Sequence, residues 1–271
     1  MPRIERRVTT RLLALVVPFC LVLAGCATMS AAPGADSSRL ATIAKRGTLE
    51  VCTTGDYKPF SFHDPKTGEY EGIDIDMAHS LAKALGVKPV FVKTTWGHLL
   101  DDATSGRCDI AMGGISITLP RQKKGSFSIP YLVDGKTPIT RCENVAKFET
   151  LAEIDRPGVR AIVNPGGTNE SFARSHLKHA TIVDYPDNVT IFQQIVDGKA
   201  DLMMTDATET RLQHKLHPEL CAVHPDKPFT FSEKGYLMPQ GDAAYQNFVD
   251  QWLHIMLADG SYRSISDRWL K

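Results

Sequence analysis

Gly106-Arg107-Cys108-Asp109-Ile110-Ala111-Met112 returns later in the chain as Gly198-Lys199-Ala200-Asp201-Leu202-Met203-Met204. Each run follows a short amphipathic stretch, breaks it at a glycine, and passes through an aspartate into apolar residues. That is a helix, a turn and a strand, used twice. Working outward from the first copy, strands are expected over 48–53, 89–92 and 109–112, with helices over 75–85 and 99–105 between them. The rhythm then restarts, with strands over 160–163, 180–183 and 201–204 and helices over 169–177 and 189–196. Alternation of this kind implies a parallel sheet with right-handed crossovers. Two such sheets make a two-lobed α/β protein, and such proteins bind ligands between the lobes, at the carboxyl ends of the strands. The loops that matter therefore follow Thr53, Thr94, Met112, Val163 and Met204.

The 271 residues are 42 % hydrophobic and 23 % charged, with a formal net charge of zero. This is ordinary for a soluble globular chain, and no basic footprint calls for a nucleic acid. Residues 1–26 read as a signal peptide. Arg3, Arg6, Arg7 and Arg11 precede an apolar core over 12–23, too short for a membrane span. Leu23-Ala24-Gly25-Cys26 resembles a bacterial lipobox, which implies a lipid on Cys26 and a periplasmic protein touching the membrane only through that lipid; the bland alternative is cleavage nearby with Cys26 incidental. Residues 27–38, rich in Ala, Ser and Gly, read as a flexible tether.

Four cysteines remain, in a compartment that permits disulfides. Spacing alone cannot pair them. Cys52 and Cys108 lie in apolar strand-like runs and read as buried thiols. The more polar surroundings of Cys142 and Cys221 favour a bridge between those two. None has zinc-site spacing, and no metal is expected. The last stretch, 242–271, reads as one or two helices packed on the core through Gln251, Trp252, His254, Ile255 and Met256.

The strand-end loops carry the candidate chemistry. Thr53-Thr54-Gly55-Asp56-Tyr57-Lys58-Pro59-Phe60 puts aromatics beside a turn, and Trp96 follows the second strand; these are either walls for a flat ring or core aromatics. Gly113-Gly114-Ile115-Ser116-Ile117-Thr118-Leu119-Pro120-Arg121 allows close backbone approach, offers hydroxyls from Ser116 and Thr118, and ends in an arginine suited to a carboxylate. Asn164-Pro165-Gly166-Gly167-Thr168-Asn169-Glu170 joins a strand to a helix and suits an anion. It lacks the Gly-Lys-Ser/Thr ending of a P-loop. Asp206 and Glu209 follow the last parallel strand, where a helix capping box would explain them equally well.

The architecture and the run Gly114 to Arg121 resemble the family 3 periplasmic solute-binding proteins, which have the type II binding-protein fold. The resemblance implies that Arg121 binds a carboxylate, assisted by Thr168, and that an acid at Asp206 takes an ammonium. Longer runs, over 53–60, 134–140, 164–170 and 187–194 and on through Asp206, are similar to the cyclohexadienyl dehydratases, enzymes built on that fold. That resemblance implies dehydration and decarboxylation of prephenate to phenylpyruvate, or of arogenate to phenylalanine, with no cofactor. It places the general acid at Glu209. It assigns Arg121, Thr168 and Asn169 to substrate carboxylates, Ser116 and Lys136 to further polar contacts, and Tyr57, Phe60 and Trp96 to the walls, with Asp206 facing the amine of arogenate. One lobe is expected over 39–134 plus 232–271 and the other over 135–231. Monomer and homo-oligomer are both left open. A lipid-anchored amino-acid receptor for a transporter is the alternative, and a sensor or adhesin with a degenerate cleft a third.

Overall fold

A computed structural model of the chain describes residues 38–271. The signal peptide, the lipobox with Cys26 and all of the expected tether except Ser38 lie outside the described residues.

Two five-stranded sheets organise the fold. The first runs, edge to edge, Lys88–Lys93, Thr48–Thr53, Ile110–Ala111, Leu237–Met238, Ser126–Phe127. Its first three strands are parallel; Leu237–Met238 is antiparallel to both its neighbours. The second runs Thr181–Asp184, Arg160–Val163, Leu202–Asp206, Lys136–Arg141, Leu220–Ala222. Here too three parallel strands are followed by antiparallel ones. Each sheet thus contains the parallel triplet that the repeat predicts, extended by one strand running the other way and then an edge strand that runs with the triplet. The chain passes between the sheets along Leu132–Asp134 and Ser232–Lys234, which pair with each other.

Both sheets are apolar on both faces, as sheets covered by helices on either side must be. Val51 and Ile110 face one cluster with Ile43, Ile73, Met77 and Leu81. Their neighbours Cys52 and Ala111 face another, with Leu99, Ala103 and Leu237. In the second sheet Leu202 and Met204 pack with Phe172, while Met203 packs on the other side with Ile191, Phe192 and Ile195. The period-2 alternation of a strand therefore separates two cores rather than core from solvent.

Two expectations are corrected, the state of one cysteine pair and the packing face of the C-terminal stretch. Cys52 and Cys108 are not free thiols but a disulfide, and a second bridge joins Cys142 to Cys221. Cys52 ends up beside Cys108 because the strand over 48–53 lies next to Ile110–Ala111, which starts two residues after Cys108. The C-terminal stretch is two helices, Ala243–Ala258 and Ser261–Leu270, divided at Gly260 with φ 82°. The longer one packs through Tyr245, Val249, Trp252 and Leu253, whereas Ile255 is half exposed.

Candidate active site

The loops at the carboxyl ends of the parallel strands converge on a narrow cleft. Tyr57, Trp96, Gly114, Ser116 and Lys234 line it from the first sheet's side, and Asn164, Thr168, Asn169, Asn188 and Asp206 from the second's. The two sides touch. Asn188 Nδ2 donates to the Asp56 carbonyl, 3.1 Å away. Gly166, with φ 92°, lies so close to Gly97 that an added Cβ would meet its nitrogen at 2.5 Å.

Asp206 is the centre of the polar arrangement. It ends the strand Leu202–Asp206, is 2 % exposed, and sits at the N-cap position of the helix Ala207–Leu216. It makes no side-chain cap bond, so the capping box is not what its carboxylate does. Oδ1 instead accepts from Lys136 Nζ at 2.7 Å; Oδ2 accepts from Lys234 Nζ and the Tyr57 hydroxyl, both at 2.5 Å. Burial alone would raise its pKa, but the two ammoniums hold it well below the usual carboxylate range. Both lysines are buried as well. Burial pushes Lys136 down against the pull of Asp206. Asp206, which the resemblance gave to a substrate amine, thus already accepts three hydrogen bonds from the protein.

Glu209 stands one turn into the same helix and is 1 % exposed. Burial pushes its carboxyl up to about 8; the Thr205 hydroxyl opposes this and the charge of Asp206 adds to it. The group is therefore neutral near pH 7. Thr205 Oγ1 donates to Glu209 Oε2, and Asn169 Nδ2 donates to Thr205 Oγ1 at 2.9 Å. Asn169 Oδ1 in turn accepts from Lys136 Nζ. Glu209 thus lies behind the cleft wall, joined to it by Thr205 and Asn169.

Of the other expected residues, Tyr57, Trp96, Ser116, Thr168 and Asn169 line the cleft. Trp96 Nε1 donates to Asp56 Oδ1 at 3.1 Å and its ring meets Tyr57 edge-on. Ser116 Oγ accepts from Lys234. Lys136 reaches Thr168 Oγ1 at 3.1 Å from below the surface. Phe60 does not line the cleft: it is fully buried and stacks behind Tyr57, with centroids 5.3 Å apart. It therefore supports the wall without forming it. Arg121 is also outside the lining; its guanidinium donates to the Ser116 carbonyl at 2.9 Å. Burial lowers its pKa to about 10, with Asp206 opposing. It has no carboxylate partner among the described residues. Thr118, read as a ligand hydroxyl, caps the short helix Leu119–Gln122.

Sequence reasoning missed Lys234 and Asn188. Lys234 sits in Ser232-Glu233-Lys234, which reads as a charged edge and carries no motif. Asp74 was missed too. Buried on the helix Ile73–Ala84, it accepts from the Gly114 amide at 2.6 Å and from the hydroxyls of Tyr131 and Tyr236. It thereby fixes the glycine loop beneath the ring of Tyr57. Gly114 has φ 70°, and a Cβ there would meet Tyr57 and Phe60 at 2.6 Å.

The site can do two things chemically. Its two buried ammoniums against one carboxylate, with the Arg121 guanidinium near, leave it electropositive and suit a small di-acid. Its neutral carboxyl can donate a proton.

The chain is similar to known proteins in sequence and fold. The profile of bacterial extracellular solute-binding proteins, family 3, matches residues 49–271. The chain is 59 % identical over 252 residues to the cyclohexadienyl dehydratase of Pseudomonas aeruginosa, covering 93 % of this chain and 92 % of that one. It is 28 % identical over 241 residues to the L-cystine-binding protein TcyJ of Escherichia coli K12, covering 89 % of each. Among solved structures, an ancestral amino acid-binding protein described as a precursor of cyclohexadienyl dehydratase has a TM-score of 0.80 at 40 % identity, over 86 % of this chain and 100 % of that one. An ancestral cyclohexadienyl dehydratase, 56 % identical, has a TM-score of 0.55 over 86 % of this chain and 97 % of that one.

Proposed function

This chain belongs to the bacterial extracellular solute-binding proteins, family 3, and from that premise we propose that it is a cyclohexadienyl dehydratase that converts prephenate to phenylpyruvate in the cleft, with Glu209 as general acid. The observation that carries the reading is the buried Glu209 carboxyl, kept protonated near neutrality beside a cluster of cations. A receptor needs no such proton.

Prephenate is a cyclohexadiene with a ring carboxylate and a ring hydroxyl at opposite positions. The C–O bond breaks with its electron pair on oxygen, and that oxygen takes the Glu209 proton and leaves as water. The C–C bond to the carboxylate breaks with its pair entering the ring, which becomes aromatic, and CO2 departs. Glu209 keeps the bond that its Oε2 accepts from Thr205, and the proton on its other oxygen passes to the leaving hydroxyl. General acid catalysis of this kind contributes about 10²–10⁴-fold. Contact of the two sides of the cleft excludes water from the step.

Arg121, Thr168 and Asn169 take the side-chain carboxylate. A strong clamp on the departing carboxylate would instead favour the ground state. Lys234 and Ser116 orient the other polar groups, and Tyr57 and Trp96 bracket the ring. Asp206 serves the two lysines. With its oxygens occupied, prephenate fits better than arogenate, which brings an ammonium needing an acceptor of its own. The same occupancy counts against the amino-acid receptor, whose ligand brings that ammonium too. A lipid on Cys26 completes the reading. Cys26→Ala should move the protein from the detergent phase to the aqueous phase, and an unchanged partition removes the anchor.

The test of the activity is purified protein with prephenate and, separately, arogenate. Phenylpyruvate should form, with kcat/KM higher than for arogenate. Tight binding of an amino acid with prephenate left unchanged would overturn the assignment in favour of a receptor.

A further inference from the structure

Glu209 faces two ways. On one side Thr205 and Asn169 connect it to the substrate cleft. On the other it lines a second cavity of about 140 Å³, bordered also by Asp56, Lys58, Asn188, Gln213 and His217. This second space is not an extension of the first. Only Asn188 lines both, and its Oδ1 is buried without a hydrogen-bond partner.

The helix Ala207–Leu216 arranges the second cavity. Glu209, Gln213 and His217 are spaced by four along it, so they stack on one face. They run from a fully buried carboxyl, through a buried amide, to a half-buried imidazole at the helix C-cap. Glu209 Oε2 is held by Thr205, while its Oε1 makes no hydrogen bond among the described residues. The cavity is roomy enough for several waters and polar enough to hold them. Nothing in the dehydration step uses it.

The reaction does need something on that side. Prephenate enters with two negative charges. Phenylpyruvate leaves with one, alongside neutral CO2 and water. One proton is therefore consumed per turnover, and it comes from Glu209, which is left as a carboxylate. Resting on the dehydratase reading, we propose that the second cavity is the proton inlet of this enzyme: solvent protons enter at His217 and reach Glu209 past Gln213, without passing through the substrate cleft. His217 takes a proton from solvent on one ring nitrogen and releases one from the other to the waters of the cavity. The proton ends on Glu209, and no other group changes its state. The charged and titratable groups around Glu209 are Asp206, Lys136, Lys234 and Tyr57 on the cleft side and Asp56, Lys58 and His217 in the cavity. Of the cavity groups, His217 lies on Glu209's own helix face and has two ring nitrogens, so that one can take up a proton while the other releases one. A separate inlet lets the acid be recharged while the cleft is still shut.

The experiment compares the parent with His217→Ala and Gln213→Leu, using prephenate in weakly buffered solution between pH 6 and 9. Proton delivery should limit the variants where protons are scarce. We expect kcat to fall about tenfold at pH 8–9 and little at pH 6, with KM within about twofold of the parent. Added imidazole should restore the lost kcat in proportion to its concentration, which a merely structural defect would not allow. Parental kcat in both variants at every pH would overturn the inlet and route the proton through the cleft. So would a loss equal at all pH values and indifferent to imidazole. A parent that leaves prephenate unchanged removes the dehydratase reading itself, whereas an active parent with unaffected variants removes only the inlet.

Discussion

Thr205 donates its hydroxyl proton to Oε2 of Glu209, and this bond determines which oxygen of the carboxyl carries the transferable proton. Thr205 Oγ1 is itself the acceptor of Asn169 Nδ2, so its own hydrogen must point at Glu209. The proton of the neutral acid then resides on Oε1. The Thr205 bond favours the ionised carboxyl, and burial outweighs it.

Glu209→Gln keeps the shape and the acceptor for Thr205 but removes the proton. Turnover of prephenate should drop by about 10²–10⁴-fold, measured as phenylpyruvate formed, with the circular dichroism spectrum unchanged. A variant as fast as the parent would place the acid elsewhere.

The pH dependence follows from the same group. An acid that must be protonated works below its pKa, so kcat/KM should fall as pH rises through about 8. Stability should move the same way. Between the ordinary value near 4.5 and the folded value near 8, the folded state holds a proton that the unfolded chain has released. The Glu209 contribution therefore declines as pH rises through that window. Glu209→Gln has no such decline. Its melting temperature should gain on the parent's from pH 5 to pH 9, and parallel curves would contradict the burial argument.

Asp206→Asn removes the carboxylate that pairs with two buried ammoniums. Leaving buried charge uncompensated costs about 3–5 kcal/mol, so denaturant midpoints should fall sharply. The parent's own Asp206 carboxyl titrates below its unfolded value of 3.8. Its stabilisation is complete above that value and is lost on acidification through the folded pKa. The acid limb of the stability curve should be correspondingly shallower in the variant.

How much of this could be read from the chain depends on what kind of signal each part carries. The parallel triplets were legible because Cys108 to Met112 and Asp201 to Met204 repeat one local pattern, and local patterns survive in sequence. Lys136–Arg141 was not read as a strand, although it is buried in the second sheet with a strand on either side. Pro138 argues against a central strand, and burial on both sides erases the alternation that would advertise one. Ser126–Phe127 and Leu237–Met238 are two residues each, below any periodicity. The site divides in the same way. Tyr57, Ser116 and Thr168 lie in loops that follow strands, so their place was legible. Lys234 became part of the site only because the crossing strand Ser232–Lys234 delivers its ammonium to Asp206. The direction of Arg121, towards the Ser116 carbonyl, is a rotamer and leaves no trace in sequence.

Gly114→Ala tests the glycine loop. An added methyl would strike the rings of Tyr57 and Phe60 at 2.6 Å, at a φ of 70° that side chains rarely adopt. Overpacking and backbone strain together should cost about 2–4 kcal/mol. KM should rise as Tyr57 is displaced. An unchanged KM would mean that Tyr57 does not bracket the substrate.

Replacing Cys52 and Cys108 by alanine opens a loop of 56 residues. Stability should fall by about 2–4 kcal/mol, read from urea midpoints under oxidising conditions. No change would mean that packing in the first sheet already does the work of the bridge.

The strand Leu237–Met238 lies between Ile110–Ala111 and Ser126–Phe127, which has a bearing on the birth of the molecule. Every strand of the second sheet lies between Lys136 and Ala222, so that sheet has all its material before translation ends. The first sheet starts earlier but stays open in its middle until almost the last residues emerge. The half whose synthesis begins first is thus the half that finishes last, and nascent chains arrested once Ala222 has left the ribosome but Leu237 has not should hold a protease-resistant second half beside an unfinished first.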